Sequence, residues 1–152
     1  MIIHEKGDLL QYLKNGDVDA IAHCCNDQGV MGSGIALQIK NELPDAFAAY
    51  RDYHDQNGLP LGTISHTETV FNLHAQRGYG KGTRHVCYEG LYISLEKTRD
   101  VLMATYPFGC VLGVPKYMAS ALAGGDFRIV EVMLEVIFGS TPIDIVVVEY
   151  NK

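Results

Sequence analysis

The sequence contains no apolar run long enough to span a membrane and no paired CxxC units of the kind that bind zinc. Its N-terminus lacks a basic segment followed by an apolar one, so we expect no secretory signal. Basic residues are in the minority, and the formal net charge of -6 argues against a broad electrostatic grip on a nucleic acid backbone. We therefore predict a reduced, cytoplasmic protein that binds neither membrane nor nucleic acid.

The remaining composition is typical of a single domain, which we predict to cover residues 1–152. Hydrophobic residues make up 47% of the chain and charged residues 20%, so a core can form without help from a metal or a disulfide. The four cysteines are predicted to be small packing residues. We expect no metal site and no cofactor. A small anionic ligand remains compatible with the acidic charge, because backbone N–H groups can bind phosphate.

Strand patterns alternate with helix patterns along nearly the whole chain. The apolar runs "DAIAHCC" at 19–25, "CVLGVP" at 110–115 and "IDIVVVEY" at 143–150 are typical of buried strands, and helical spacing separates them. This alternation predicts an α/β fold, with a largely parallel sheet covered by helices on both faces. Ligands of such sheets bind outside the carboxyl ends of the strands.

The segment "CCNDQGVMGSGIAL" at 24–37 places Gly29, Gly32 and Gly34 between a predicted strand and a predicted helix. Glycines let backbone N–H groups approach an anion, and the positive end of the helix dipole points to the same place. The alternative is a tight strand-to-helix connection with Ser33 as the N-cap. The segment matches neither the GK[ST] phosphate loop nor a clean G-x-G-x-x-G pattern.

A second small-residue loop, "MASALAGGD" at 118–126, also follows an apolar strand and precedes a helix. Asp126 could act as a general base or orient a ribose hydroxyl, and it could equally be the N-cap of the helix that starts at Phe127. Because both loops follow parallel strands, we expect them to meet at one edge of the sheet and to hold a ligand from two sides.

Five further residues have a functional and a structural interpretation. His23 could donate a proton or be a buried histidine bonded to backbone, and Asn26 could bind a ribose hydroxyl or shape a turn. Lys81 and Arg77, in the basic glycine-rich loop 77–83, could close over a diphosphate or remain solvated. Asp8 could accept a hydrogen bond from an adenine amino group or cap the first helix.

Three of these segments together resemble the macro domain, the ADP-ribose-binding module. "KGDL" at 6–9 is similar to the adenine-recognition start of that family, "DAIAHCCNDQGVMGSGIAL" at 19–37 to its first phosphate loop, and "VPKYMASALAGGDF" at 114–127 to its second loop. The second loop has the form seen near the ADP-ribose 1''-phosphate phosphatases and the small glutamyl-ADP-ribose hydrolases. The resemblance implies a three-layer α/β/α fold with a mixed, largely parallel sheet of about six strands.

The resemblance also implies roles for individual residues. Asp8 would bind adenine, and Asp126, His23 and Lys81 would carry the chemistry near the distal ribose. The remaining substrate-binding residues would be Asn26, Gly29, Val30, Met31, Gly32, Ser33, Gly34 and Ile35 in the first loop and Ser120, Ala121, Leu122, Ala123, Gly124 and Gly125 in the second.

Two departures from the family pattern affect the implied chemistry. "HCCN" at 23–26 stands where the family more often has "NAAN", and Gln76 stands near the lysine that the glutamyl-ADP-ribose hydrolases use. A covalent lysine mechanism would require Lys81 to reach in with a lowered pKa. The resemblance therefore implies conversion of ADP-ribose 1''-phosphate to ADP-ribose and phosphate. Its alternatives are removal of ADP-ribose from modified protein side chains, with an ADP-ribosylated protein as partner, and reading of ADP-ribose without chemistry.

Overall fold

The computed structural model describes residues 1–32, 34–78, 86–116, 118 and 125–150. In this part of the chain, six strands alternate with five helices. In chain order the elements are β1 (Ile2–Gly7), α1 (Leu9–Asn15), β2 (Ala20–Asn26), α2 (Gly34–Glu42), α3 (Pro44–Asn57), β3 (Ile64–His66), β4 (Val70–Gln76), α4 (Tyr88–Thr105), β5 (Cys110–Pro115), α5 (Phe127–Phe138) and β6 (Ile143–Tyr150).

The strands form a single sheet in the order β1-β6-β5-β2-β4-β3. Every neighbouring pair is parallel except β3 with β4, which is antiparallel. The prediction of a mixed, largely parallel sheet of about six strands is therefore confirmed. β2 lies between β5 and β4, so the loops after these three strands leave from adjacent positions on the same edge.

Helices cover both faces of the sheet and divide the core in two. One half lies between the sheet and the pair α4 and α5, and the other lies under α1, α2 and α3. Strand β2 contributes to both halves, because Ala20 and Ala22 face the first while Ile21 and Cys25 face the second. This two-sided burial explains why the strand is a nearly continuous apolar run.

Buried polar side chains form a chain of hydrogen bonds between α3 and the strands β2, β4 and β3. His23 donates from Nε2 to Oδ1 of Asn72 (2.7 Å), and Nδ2 of Asn72 donates to Oγ of Ser65 (3.1 Å). The same amide also donates to the α3 carbonyl of Ala46, and Oγ of Ser65 lies 2.9 Å from Nε2 of His74. Both histidines are fully buried, and desolvation lowers the pKa of each to about 4.

These two neutral histidines predict a loss of stability in mild acid. In the unfolded chain each histidine binds a proton near pH 6.5, whereas in the folded protein it does so only near pH 4. The free energy of unfolding should therefore fall as pH decreases from 6.5 to 4, by about 3 kcal/mol for each histidine. Urea unfolding at several pH values measures this slope.

The matched variants are His74→Gln, which should reduce the slope to the part that His23 contributes, and His66→Gln at an exposed histidine, which serves as the control and should keep the wild-type slope. Equal slopes in the wild type and the His74→Gln variant would contradict the assignment.

Candidate functional site

Three connections meet at the carboxyl edge of the sheet and are held to each other by hydrogen bonds. The loop after β2 joins the connection after β4, because the amide of Gly78 donates to Oδ1 of Asp27 (2.8 Å). That connection in turn joins the start of α5, because the amide of Asp126 donates to the Tyr88 hydroxyl (2.7 Å). The first loop is thus bonded to the connection after β4, and the start of α5, at which the second loop ends, is bonded to the start of α4.

The side chain of Asn26 shapes the first loop from its base. Its Nδ2 donates to the carbonyl of Val30 (2.7 Å), while its Oδ1 accepts from the amides of Gln28 (3.0 Å) and Val30 (3.3 Å). Oδ1 also accepts the hydroxyl of Tyr50 (2.8 Å). The amide oxygen is thus fully engaged, and a ribose hydroxyl would have to displace one of these donors. The structure gives Asn26 the turn-forming role among its two predicted ones.

Helix α3 supports this loop through two consecutive side chains. The hydroxyl of Tyr50 reaches both the side chain and the main-chain carbonyl of Asn26, and Nη1 of Arg51 donates to the carbonyl of Gly29 (3.2 Å). Gly29 has a φ of +77°, and a Cβ on it would collide with Nη1 of Arg51. The backbone conformation therefore favours glycine here, and a larger residue would also have to displace the guanidinium that is bonded to the loop. No local sequence pattern indicates these two α3 residues, because they lie more than 20 positions from the loop they hold.

Between Val30 and Gly32 the loop alternates between exposed and buried residues. Met31 is buried and anchors the loop, while Val30 and Gly32 are exposed at the edge. Helix α2 begins at Gly34, which has a φ of +57°. Ile35 packs against the half of the core that lies under α1, α2 and α3. Exposed backbone next to the start of a nine-residue helix is the arrangement that favours an anion.

Asp126 is the N-cap of α5, and the guanidinium of Arg128 forms an ion pair with its carboxylate. Oδ1 accepts the amide of Arg128 (3.0 Å), and the guanidinium bonds both carboxylate oxygens, with Nη2 to Oδ2 at 2.7 Å. These hydrogen bonds from Arg128 hold the pKa of Asp126 below its usual value. The predicted capping role is confirmed, and the carboxylate lies at the edge next to the linked loops, where it stays ionised. A role in chemistry remains a prediction.

His23 does not lie at this edge. Its side chain is fully buried in the middle of β2, with Asn72 as its hydrogen-bond partner. A side chain without exposed surface cannot contact a ligand at the sheet edge, so the structure does not support the predicted catalytic role. The alternative, a buried and hydrogen-bonded histidine, is what the structure shows, although the partner is a side chain rather than backbone.

The two cysteines that follow His23 are packing residues, as predicted. Burial raises the pKa of the Cys24 thiol to about 12 and that of Cys25 well above its ordinary value, so both stay protonated. No cluster of three or more metal-binding side chains occurs within the described ranges.

Asp8 lies at the same edge of the sheet, after β1. Its Oδ1 accepts the amide of Leu10 (3.0 Å) as the N-cap of α1, and its side chain is exposed. The predicted cap is confirmed, and a carboxylate that caps with one oxygen still has a second oxygen. β1 stands three strand spacings from β2, which places Asp8 about 14 Å across the sheet from the first loop.

Several predicted site residues lie outside the described residues, namely Ser33, Lys81, Ser120, Ala121, Leu122, Ala123 and Gly124. Of the second loop, Met118, Gly125 and Asp126 are described, of which Met118 is buried and the other two are half-buried. Arg128 is a further residue at this edge that was not predicted, and its position two residues after a predicted N-cap aspartate is the sequence signal for it.

Comparison with curated proteins gives partial matches. No family model matches the chain. The ADP-ribose 1''-phosphate phosphatase of Scheffersomyces stipitis is 38% identical over 72 residues, which are 46% of this chain and 42% of that protein. The DNA ADP-ribosyl glycohydrolase of Mycobacterium tuberculosis is 36% identical over 69 residues, which are 45% of this chain and 18% of that protein. The matches thus span less than half the length of these curated relatives.

Comparison with solved structures covers the whole chain. The macrodomain of Mycobacterium tuberculosis DarG superposes with a TM-score of 0.76 at 25% identity over 97% of both chains. A macrodomain protein from Streptomyces coelicolor gives 0.71 at 26% identity, over 100% of this chain and 99% of that chain. Thermosipho africanus DarTG, solved in complex with ADP-ribose, gives 0.67 at 17% identity over 86% of this chain and 38% of its own, which is a likeness of fold.

The contact between α3 and the first loop predicts the effect of Tyr50→Phe. Removing the hydroxyl takes one buried donor from the main-chain and side-chain oxygens of Asn26, which costs about 1–3 kcal/mol, so the loop should open more often. The amides of Gln28 and Val30, which Asn26 holds, should exchange with solvent about tenfold faster in native-state hydrogen exchange.

Tyr53→Phe, on the same helix, is the control and should leave these two amides unchanged. Unaltered exchange at Gln28 and Val30 in the Tyr50→Phe variant would show that the hydroxyl does not hold the loop.

Proposed function

Because the chain is a macro domain, we propose that it binds ADP-ribose along the carboxyl edge of its sheet and hydrolyses ADP-ribose 1''-phosphate to ADP-ribose and phosphate. The observation that carries this proposal is the pair of hydrogen bonds that links the connection after β2 to the one after β4, and the start of α4 to the start of α5. A ligand lying across that edge would touch the glycine loop on one side and the start of α5 on the other.

The position of Asp8 supports a ligand with an extended shape. The carboxylate stands about 14 Å from the first loop, and both lie at the same edge. An adenosine diphosphate is long enough to place its base at one end of this distance and its phosphates at the other. In this arrangement the exposed oxygen of Asp8 accepts the adenine amino group, while the capping oxygen keeps α1 in place.

The first loop would bind the diphosphate through its backbone. The amide of Val30 is engaged by Asn26, so we assign the diphosphate to the main chain between Met31 and the start of α2 at Gly34. Main-chain donors and a helix dipole bind phosphate without a basic side chain, which fits an acidic protein. Residues Ser120 to Gly125 would close the ligand from the other side.

Asp126 would act on the distal ribose end. Its pKa is lowered by Arg128, so the carboxylate is ionised at neutral pH and is a weak base. Such a group orients an attacking water by accepting its hydrogen bond more readily than it removes the proton completely. The role is compatible with the cap, because the N-cap residue stands at the open end of α5.

The curated proteins that match part of the chain support both the proposed reaction and a second candidate function. One is named a phosphatase of ADP-ribose 1''-phosphate, and the other a DNA ADP-ribosyl glycohydrolase. Removal of ADP-ribose from a modified macromolecule, including a modified protein side chain, would use the same bound ADP-ribose. A non-catalytic reader is the third candidate, and it is favoured by the ion-paired state of Asp126.

We also propose that residues 1–152 act as one domain in the cytoplasm, without a membrane or nucleic acid partner. All four cysteines are free thiols, which suits a reducing compartment. Among the described helices, none has the length and apolar character needed to cross a membrane.

The reaction is tested by following phosphate release from ADP-ribose 1''-phosphate. We expect turnover by the wild type and a loss of at least a hundredfold in kcat for Asp126→Asn, which keeps an N-cap but removes the charge that orients water. Asp100→Asn, at an exposed acid on α4, is the control and should keep full activity. Binding of ADP-ribose without phosphate release, or with release that Asp126→Asn leaves unchanged, would contradict the hydrolytic mechanism.

Binding of the adenine is tested separately by Asp8→Asn. Asparagine still caps α1, so thermal stability should change little. Its amide nitrogen would face the adenine amino group donor to donor, and affinity for ADP-ribose in calorimetry should fall about tenfold. Asp45→Asn, in the first turn of α3, should bind as the wild type does. Unchanged affinity in the Asp8→Asn variant would exclude this contact.

A further inference from the structure

Arg128 is a guanidinium at the mouth of the candidate site whose only described partner is a single exposed carboxylate. Its side chain is 90% exposed and that of Asp126 is 38% exposed. Nε donates to both carboxylate oxygens (3.1 and 3.2 Å) and Nη2 donates to Oδ2 (2.7 Å). This is the two-pronged geometry in which arginine binds planar or tetrahedral oxyanions.

The pair contributes little to the stability of the fold. An ion pair this exposed is screened by water and salt, and its two members are only two positions apart on one helix end. The position of α5 is set by other contacts, since Tyr88 accepts the amide of Asp126 and Phe127 is buried in the core. The guanidinium can therefore change partners while the helix stays in place.

The location of Arg128 suits an anion that arrives with the ligand. Asp126 is the residue nearest the distal ribose in the proposed complex, and Arg128 contacts its carboxylate directly. A phosphate monoester presents paired oxygens as a carboxylate does, and it carries more negative charge. It can therefore compete with the Asp126 carboxylate for the guanidinium of Arg128. An uncharged group at that position has nothing to offer the guanidinium.

We propose that Arg128 is a specificity-determining residue, which binds a negatively charged group carried on the distal ribose and so selects substrates that bear a phosphate there. The inference rests on the proposed function and deepens it, because it names the charge that the substrate must carry. When the guanidinium moves to the phosphate, the oxygens of Asp126 lose their donors from the side chain. The carboxylate then faces the reacting group and can accept from water, so that recognition and exposure of Asp126 occur together.

The test compares two ligands that differ only at C1'', ADP-ribose and an ADP-ribose derivative with a non-hydrolysable phosphonate there. Calorimetry gives the dissociation constant for each with the wild type, Arg128→Gln, Arg128→Lys and Arg99→Gln. The last is the matched control, since Arg99 pairs with a neighbouring aspartate about 16 Å along α4 from its start.

We expect the wild type to bind the phosphonate more tightly than ADP-ribose. Arg128→Gln should bind the phosphonate about tenfold more weakly than the wild type does, while its affinity for ADP-ribose changes less than twofold. Arg128→Lys should recover part of the loss, because it restores the charge without the fork. Arg99→Gln should match the wild type. A wild type without preference for the phosphonate, or an Arg128→Gln variant that weakens both ligands equally or neither, would overturn the inference.

This outcome is separable from that of the proposed reaction. Failure to release phosphate from ADP-ribose 1''-phosphate contradicts the hydrolytic function, whereas the affinity ratio alone decides the role of Arg128. Thermal unfolding midpoints of the four proteins should agree closely, and a large drop for Arg128→Gln would contradict the premise that the pair is dispensable for the fold.

Discussion

The parallel alignment of β2 between β4 and β5 is the constraint on which the candidate site depends. Parallel neighbours must release their chains from the same edge, about 5 Å apart, so three connections of different sequence are forced together. Two hydrogen bonds, from Gly78 to Asp27 and from Asp126 to Tyr88, then fasten these connections side by side. Main-chain amides of glycine residues can form a candidate site because the sheet brings them together at its carboxyl edge.

Stability and function share the face of the sheet under α3. The helix rests on a buried chain of polar contacts, which includes His23 and Asn72, and it holds the first loop from above through Tyr50 and Arg51. Buried hydrogen bonds are costly to leave unmade, so this arrangement gives the loop a single shape before any ligand arrives. His23 belongs to this support through its hydrogen bond to Asn72, and the thiol of Cys25 packs beside it. At the other side of the edge, the exposed pair of Asp126 and Arg128 is held loosely, which suits groups that exchange partners during binding.

The alternation of apolar strands with helical spacing was enough to predict the sheet, its edge and the convergence of the loops, because burial patterns are local in sequence. Caps were equally readable, since Asp8 and Asp126 act on amides two residues away. The role of His23 was not readable, because a central strand is buried on both faces and alternation cannot say which side chains reach an edge. The contacts of Tyr50 with Asn26 join residues 24 positions apart, and such pairings follow from how α3 lies on the sheet rather than from any local pattern.

A crystal structure with bound ADP-ribose tests the central claim most directly. The account predicts the diphosphate against the backbone of residues 31–34, the adenine amino group on Asp8, and C1'' of the distal ribose next to Asp126 and Arg128. The hydrogen bonds from Tyr50 and Arg51 to the first loop should be the same with and without ligand. A ligand bound away from the carboxyl edge, or a first loop rebuilt on binding, would contradict the account.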